Sequence, residues 1–317
     1  MKNRSDLQAR VAFEHRLQRK LDDARTETRV LRLALRDITD YLGAEHGEMA
    51  LHDRVRDAFD MVFYGTGAAP MPQELLRAFL RNERPAYPRN LLLAPLRRKK
   101  HILGVVGFRR AAGFSRGEGR FLVHLASRVA LEVARRRAER VAAEVARIHR
   151  YVCESRSPRD LLYQILHALA RLTRYDRAAA ILRVEEGRLV TVAARTEQGG
   201  INLAPRQTFL VERSTSVCRD PSALADLLQV PRTSLVASAV TQRGRVLGVL
   251  CVLAHREHAF TGETASILER FAPAAAWALE ALDRDGPRWG GPTTTGDEPP
   301  ECRTWPAPSP SQGAESL

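Results

Sequence analysis

Aromatic residues are scarce in this chain: Phe, Trp and Tyr make up 6% of its 317 residues. With a hydrophobic fraction of 44%, that predicts aliphatic cores of Leu, Val, Ile and Ala. Lysine is scarcer still; Lys2, Lys20, Lys99 and Lys100 are the only ones, and every other base is arginine. No run approaches the roughly 18 apolar residues that a membrane-spanning helix needs. The opening MKNRSDLQAR lacks the apolar stretch of a signal peptide. We expect a cytoplasmic protein with no membrane partner. Cysteines are few: Cys153, Cys218, Cys251 and Cys302 lie apart, without metal-ligand spacing, which fits a reducing compartment and no metal site.

Catalytic patterns are also missing. There is no Gly-rich phosphate loop and no G-x-S-x-G elbow. His149, in ARIHRYVCES, lacks the acidic neighbour of a phosphoacceptor and reads as a helix-surface residue. His255 and His258, with Glu257, form a pair without a third ligand. No catalytic residue is assigned, and a non-enzymatic protein is expected. The formal charge of +13 and pI near 10.4 raise a nucleic-acid reading. The charge is dispersed, however, with clusters only at Arg97–Lys100 and Arg135–Arg137, and no helix-turn-helix pattern accompanies it. Solvated faces are the primary reading and a nucleic-acid partner is not expected.

What the chain does have is a repeat. Ile102–Glu118 reads ILGVVGFRRAAGFSRGE and Val246–Glu263 reads VLGVLCVLAHREHAFTGE. Each is preceded by a second apolar run and a polar turn, in LLLAPLRRKKH and SLVASAVTQRGR. Each therefore reads as a hairpin whose second arm is buried, followed by a helix with Ser115 or Thr261 as N-cap. A repeat of this length means a duplicated domain rather than a solenoid.

Residues 1–42 carry a 4-3 apolar seam through Leu17, Leu21, Ala24, Thr28, Leu31, Leu35, Ile38 and Leu42. It fits an N-terminal coiled-coil helix pairing with a second chain, or a helix lying on its own domain; the coiled coil is the reading taken. Residues 43–135 form a first, partial domain in which 50–64 and 72–82 look helical, strands being limited to 91–96 and 102–108. A long helix runs from about Gly117 to Ser155, with no Gly or Pro from Arg120 through Arg156, residues 136–157 serving as linker. The second domain, 158–283, reads helix, hairpin over 179–184 and 189–194, irregular stretch, hairpin over 235–240 and 246–253, helix: an α+β fold. Residues 284–317 are rich in Pro, Gly, Ser and Thr and read as a disordered tail.

The second unit resembles a GAF domain, on AAAILRVEEGRLVTVAA, SLVASAVTQRGRVLGVLCVLA and FTGETASILERFAPAAAWALEAL. The first matches only from LLLAPLRRKKHILGVVGF onward. The resemblance implies a tandem GAF-domain sensor, with a small molecule held between the sheet and its covering loops. Here that region is Thr196–Leu235, whose polar candidates include Arg206, Thr208, Ser216, Cys218, Arg219 and Asp220. SVCRD lacks the His beside a bilin-binding cysteine, and the cyclic-nucleotide subgroup pattern is absent, so the cofactor stays unknown. The function expected is a non-enzymatic regulator that binds a small molecule or partner, works as a helical homodimer and passes its signal to a separate output protein such as a kinase. An arginine-rich regulator contacting nucleic acid and a thiol enzyme using Cys218 are the alternatives.

Overall fold

The computed structural model describes residues 2–65, 70–82, 90–99, 101–154, 157–173, 175, 178–185, 188–196, 234–254, 256 and 259–284. Two helices open the chain, α1 (Lys2–Asp22) and α2 (Glu27–Leu42). Strands β1 (His46–Asp53) and β2 (Ala58–Gly65), helix α3 (Gln73–Asn82), and strands β3 (Leu91–Arg98) and β4 (His101–Arg109) follow. Helix α4 (Arg116–Cys153) leads to α5 (Pro158–Thr173), β5 (Ala178–Glu185), β6 (Arg188–Thr196), β7 (Ser234–Gln242), β8 (Arg245–Ala254) and α6 (Gly262–Arg284). The sheets are antiparallel with the same order, β2-β1-β4-β3 and β6-β5-β8-β7. The α+β duplication read from the sequence is therefore present, and all four strands expected in the second unit are found.

The repeated LGV has a steric cause. Gly104 faces Leu51, and Gly248 faces Arg183, on the neighbouring central strand. A Cβ at Gly104 would overlap the Ala50 carbonyl oxygen, and one at Gly248 the Leu182 carbonyl oxygen. Only glycine lets the two central strands approach this closely. The turn after β7 is equally specific: Arg243 and Gly244 both adopt positive φ, 48° and 78°, as a tight right-twisting hairpin requires.

Three expectations for the N-terminal half need correction. First, 1–42 is not one coiled-coil helix. The chain breaks after Asp22, and the Thr26 side chain caps α2 by accepting from the Arg29 N–H at 3.2 Å. The seam residues Leu17, Leu21, Ala24, Leu31, Leu35, Ile38 and Leu42 are at most 3% exposed within a single chain, because they pack on β1, β3, β4 and α4. Second, 46–65 is a hairpin, not a helix. β1 is buried on both faces, so its polar and apolar residues do not alternate cleanly. Third, the strands of the first unit are not limited to 91–96 and 102–108, since β1 and β2 complete its sheet. Their turn contains no glycine; Asp57 takes the positive φ of 50°, and the Asp53 carboxylate accepts from the N–H groups of Val55 and Arg56.

Helix α4 belongs to both units. Its first half, capped by the reciprocal Ser115–Glu118 pair, fills the first core through Leu122, Leu125, Val129 and Val133. Its second half enters the second core through Val141 and Ile148. At about 1.5 Å per residue its 38 residues span roughly 57 Å. The basic run Arg135–Arg137 anchors α1 and α2 to it. Arg135 pairs with the buried Glu132, Arg136 donates to the Leu21 and Asp22 carbonyls, and Arg137 pairs with Glu27 at 2.8 Å. The expected tail, 285–317, lies outside the described residues.

Candidate ligand site

Strand alternation divides each sheet into two faces. In the second unit Ala179, Ile181, Leu250 and Val252 point to α5 and α6. Ala180, Leu182, Val249, Cys251, Leu253 and Leu235 point the other way, and all are at most 5% exposed. Ala237 and Ala239 of β7 extend that face as half-buried residues. It is an apolar floor with small side chains in its middle. The six polar candidates, Arg206, Thr208, Ser216, Cys218, Arg219 and Asp220, fall on the connection from β6 to β7 and lie outside the described residues, as do His255, Glu257 and His258. Cys251 is buried in the strand, as read from the sequence, and Cys153 is exposed at the end of α4.

A protein-family model, that of the GAF domain, matches residues 157–279. This segment is a GAF domain. No curated protein matches the chain. Among solved structures, it is similar to the GAF domain of the Acinetobacter phosphoenolpyruvate-protein phosphotransferase at 14% identity, over 41% of this chain and 96% of that one, with a TM-score of 0.37. The corresponding GAF domain from Coxiella burnetii gives 16%, 41%, 95% and 0.35. The GAF-B domain of DevS from Mycobacterium smegmatis gives 16%, 36%, 97% and 0.31. A GAF domain points to sensory or regulatory small-molecule binding. Among the described residues no helix is long and apolar enough to cross a membrane, and no group of three His, Cys, Asp or Glu could hold a metal.

The same face of the first unit is filled by the protein itself. Leu76 and Phe79 of α3, with Met71, pack on Ala50, Leu93 and Val105. A Cβ on Gly107 would collide with the Met71 and Leu93 side chains. At the end of this face lie three ionisable groups. Glu48 is fully buried, accepts from the Met71 N–H at 2.9 Å and stands 3.8 Å from Arg109. His46, two residues earlier on β1, is 5% exposed. Burial pushes the Glu48 carboxyl above its ordinary range, against the opposing pull of the Met71 N–H, Arg109 and His46. Its ionised form therefore costs stability above the raised pKa, and that cost disappears as pH falls through it. We expect Glu48→Gln, which keeps an acceptor for Met71, to raise Tm at pH 8 and to leave it unchanged at pH 4. Equal shifts at both values in thermal melts would show that ionisation of Glu48 is not the cause.

The units meet at a second feature. A cleft of about 190 Å³ lies among Arg54, Arg98, Arg137, Arg140, Thr261 and Thr264. Beside it Val55 packs on Ala254 and Ala259. Arg256, just after β8, reaches Asp57 at 2.6 Å, and Asp57 also contacts His52 at 3.1 Å and Arg77 at 3.3 Å. Burial alone would raise the Asp57 pKa; the bonds from Arg256 and His52 outweigh it and hold the carboxyl below its usual range. This contact joins the floor-bearing strand β8 to the first unit. Sequence reading missed it because Asp57 and Arg256 are two ordinary surface charges until the fold brings them together.

Proposed function

We propose that this chain is a non-enzymatic sensor whose GAF domain takes a small molecule over the floor formed by β5, β8 and β7. The observation that carries the reading is that floor: an apolar surface with buried Ala180 and Cys251 on its two central strands, extended by half-buried Ala237 and Ala239 of β7, inside a matched GAF domain. Small residues leave room for an apolar ligand body, while a few polar groups supply orientation. The polar groups proposed are Arg206, Thr208, Ser216, Cys218, Arg219 and Asp220. The first unit is proposed as a second GAF-like domain that serves structure more than ligand binding, since its own side chains fill the corresponding face.

Signal transfer is proposed to run through β8 to the Arg256–Asp57 contact and along α4. A homodimer remains part of the reading, but not through the Leu17–Leu42 seam, which the chain's own core occupies. The outer face of α4, where Leu131 is 60% exposed, is the surface proposed instead. Output passes to a separate protein such as a kinase. The nucleic-acid alternative is weakened because Arg135, Arg136 and Arg137 are engaged in ion pairs and hydrogen bonds within the chain.

The test is a thermal shift. Equilibration with a deproteinised cell extract filtered below about 1 kDa should raise Tm by several degrees, since a ligand at about 100 times its Kd stabilises by about 2.7 kcal/mol. Ala237→Trp, which fills the floor, should melt normally and show no shift. An extract that leaves the wild type unmoved, or moves the variant equally, counts against the floor as the site.

A further inference from the structure

The first unit carries a groove that the ligand reading does not use. It lies between α2 and β2 and measures about 670 Å³. Arg29, Arg32 and Arg36 of α2 and the Phe63–Tyr64 segment of β2 line it, and among the described residues no Asp or Glu does. Arg29 and Arg32 are exposed and, among the described residues, make no side-chain ion pair; Arg36 reaches only its neighbour Asp37. Spacings of three and four residues put the three guanidinium groups on one face of α2. Phe63 is 48% exposed and Tyr64 36%. Among the described residues β2 is an edge strand, pairing with β1 alone. Its single acidic residue, Asp60, is not in the groove lining.

We propose that this groove docks an acidic, extended segment of a partner protein, added as a strand along β2. An edge strand offers unpaired N–H and C=O groups to such a segment. The arginines supply the charge complement, because carboxylates opposite guanidinium groups form strong charge-assisted hydrogen bonds. Single-stranded nucleic acid is the poorer fit. Base stacking needs aromatic rings on a common face, and Phe63 and Tyr64 are consecutive residues of a strand, so they point to opposite faces. The proposal is independent of whether the GAF domain holds a ligand.

The experiment is fluorescence anisotropy on the full chain with three labelled probes: a ten-residue (Glu-Val)5 peptide, a (Glu-Pro)5 peptide of equal charge, and a ten-nucleotide oligouridine. The (Glu-Val)5 peptide should bind tightest, and more weakly as salt rises. (Glu-Pro)5 should bind about tenfold more weakly or worse, because prolines fixed at φ near −65° hold the peptide in a polyproline II helix of about three residues per turn, out of register with a pleated edge strand. Arg29→Glu with Arg32→Glu should weaken (Glu-Val)5 by about tenfold or more. The milder pair Arg29→Gln with Arg32→Gln should weaken it less, both variants keeping the wild-type circular dichroism. Equal binding of the two peptides, tighter binding of oligouridine, no binding of (Glu-Val)5, or no effect of the substitutions would each overturn the proposal.

Discussion

Gly248→Val should lower Tm by roughly 6–12 °C or leave the protein insoluble. The branched side chain would have to occupy space held by the Leu182 carbonyl oxygen and approach Leu279 of α6. Backbone atoms of a central strand cannot rotate away as a flexible side chain can. Either β5 and β8 separate, breaking the ladder between them, or α6 lifts from the sheet. Overpacking of this kind costs about 3 kcal/mol at its upper usual range, and for a chain of this size each 1 kcal/mol is worth about 2–4 °C. Gly104→Val should do the same to the first unit, against the Ala50 carbonyl. Gly262→Ala is the control, since nothing lies within 4 Å of the added Cβ and its φ is ordinary. Differential scanning calorimetry of the three variants decides the matter. A mild Gly248→Val alongside a damaging Gly262→Ala would show that the LGV repeat has some other cause.

Leu31→Asp combined with Leu35→Asp should unfold the first unit rather than split a dimer. Both leucines are at most 3% exposed in one chain. Each truncation of a buried leucine costs about 2–5 kcal/mol, and a buried unpaired carboxylate adds a further penalty. Two such changes approach the whole stability of a domain, about 5–15 kcal/mol. The expected result is loss of ellipticity at 222 nm and aggregation. A folded, monomeric double variant by light scattering, from a dimeric wild type, would instead restore the intermolecular coiled coil.

The second unit was legible because its signals are local. Arg243-Gly244 marks a turn, AAAILRV and VLGVLCVLA are β-rich runs, and Pro158 and Thr261 mark helix starts. α4 was legible for the same reason, having no Gly or Pro from Arg120 through Arg156. The first hairpin was hidden by burial on both faces of β1 and by a turn that uses Asp57 where glycine is usual. The break between α1 and α2 was masked because the seam runs across it: Leu21 and Ala24 on one side and Leu31 on the other meet the same core. Their periodicity was real, but spacing alone does not say whether the facing surface belongs to the same chain. The site was half legible. Its polar candidates came from resemblance, whereas its apolar floor emerges only once the register assigns Ala180 and Cys251 to one face and Ala179 and Leu250 to the other.

Native mass spectrometry of the full chain, after equilibration with the filtered extract, tests the central claim most directly. The account predicts a non-covalent adduct of a few hundred daltons on the wild type, absent from Ala237→Trp and still present on Arg29→Glu with Arg32→Glu. A wild type that stays at its sequence mass, or an adduct that survives in Ala237→Trp, would contradict it.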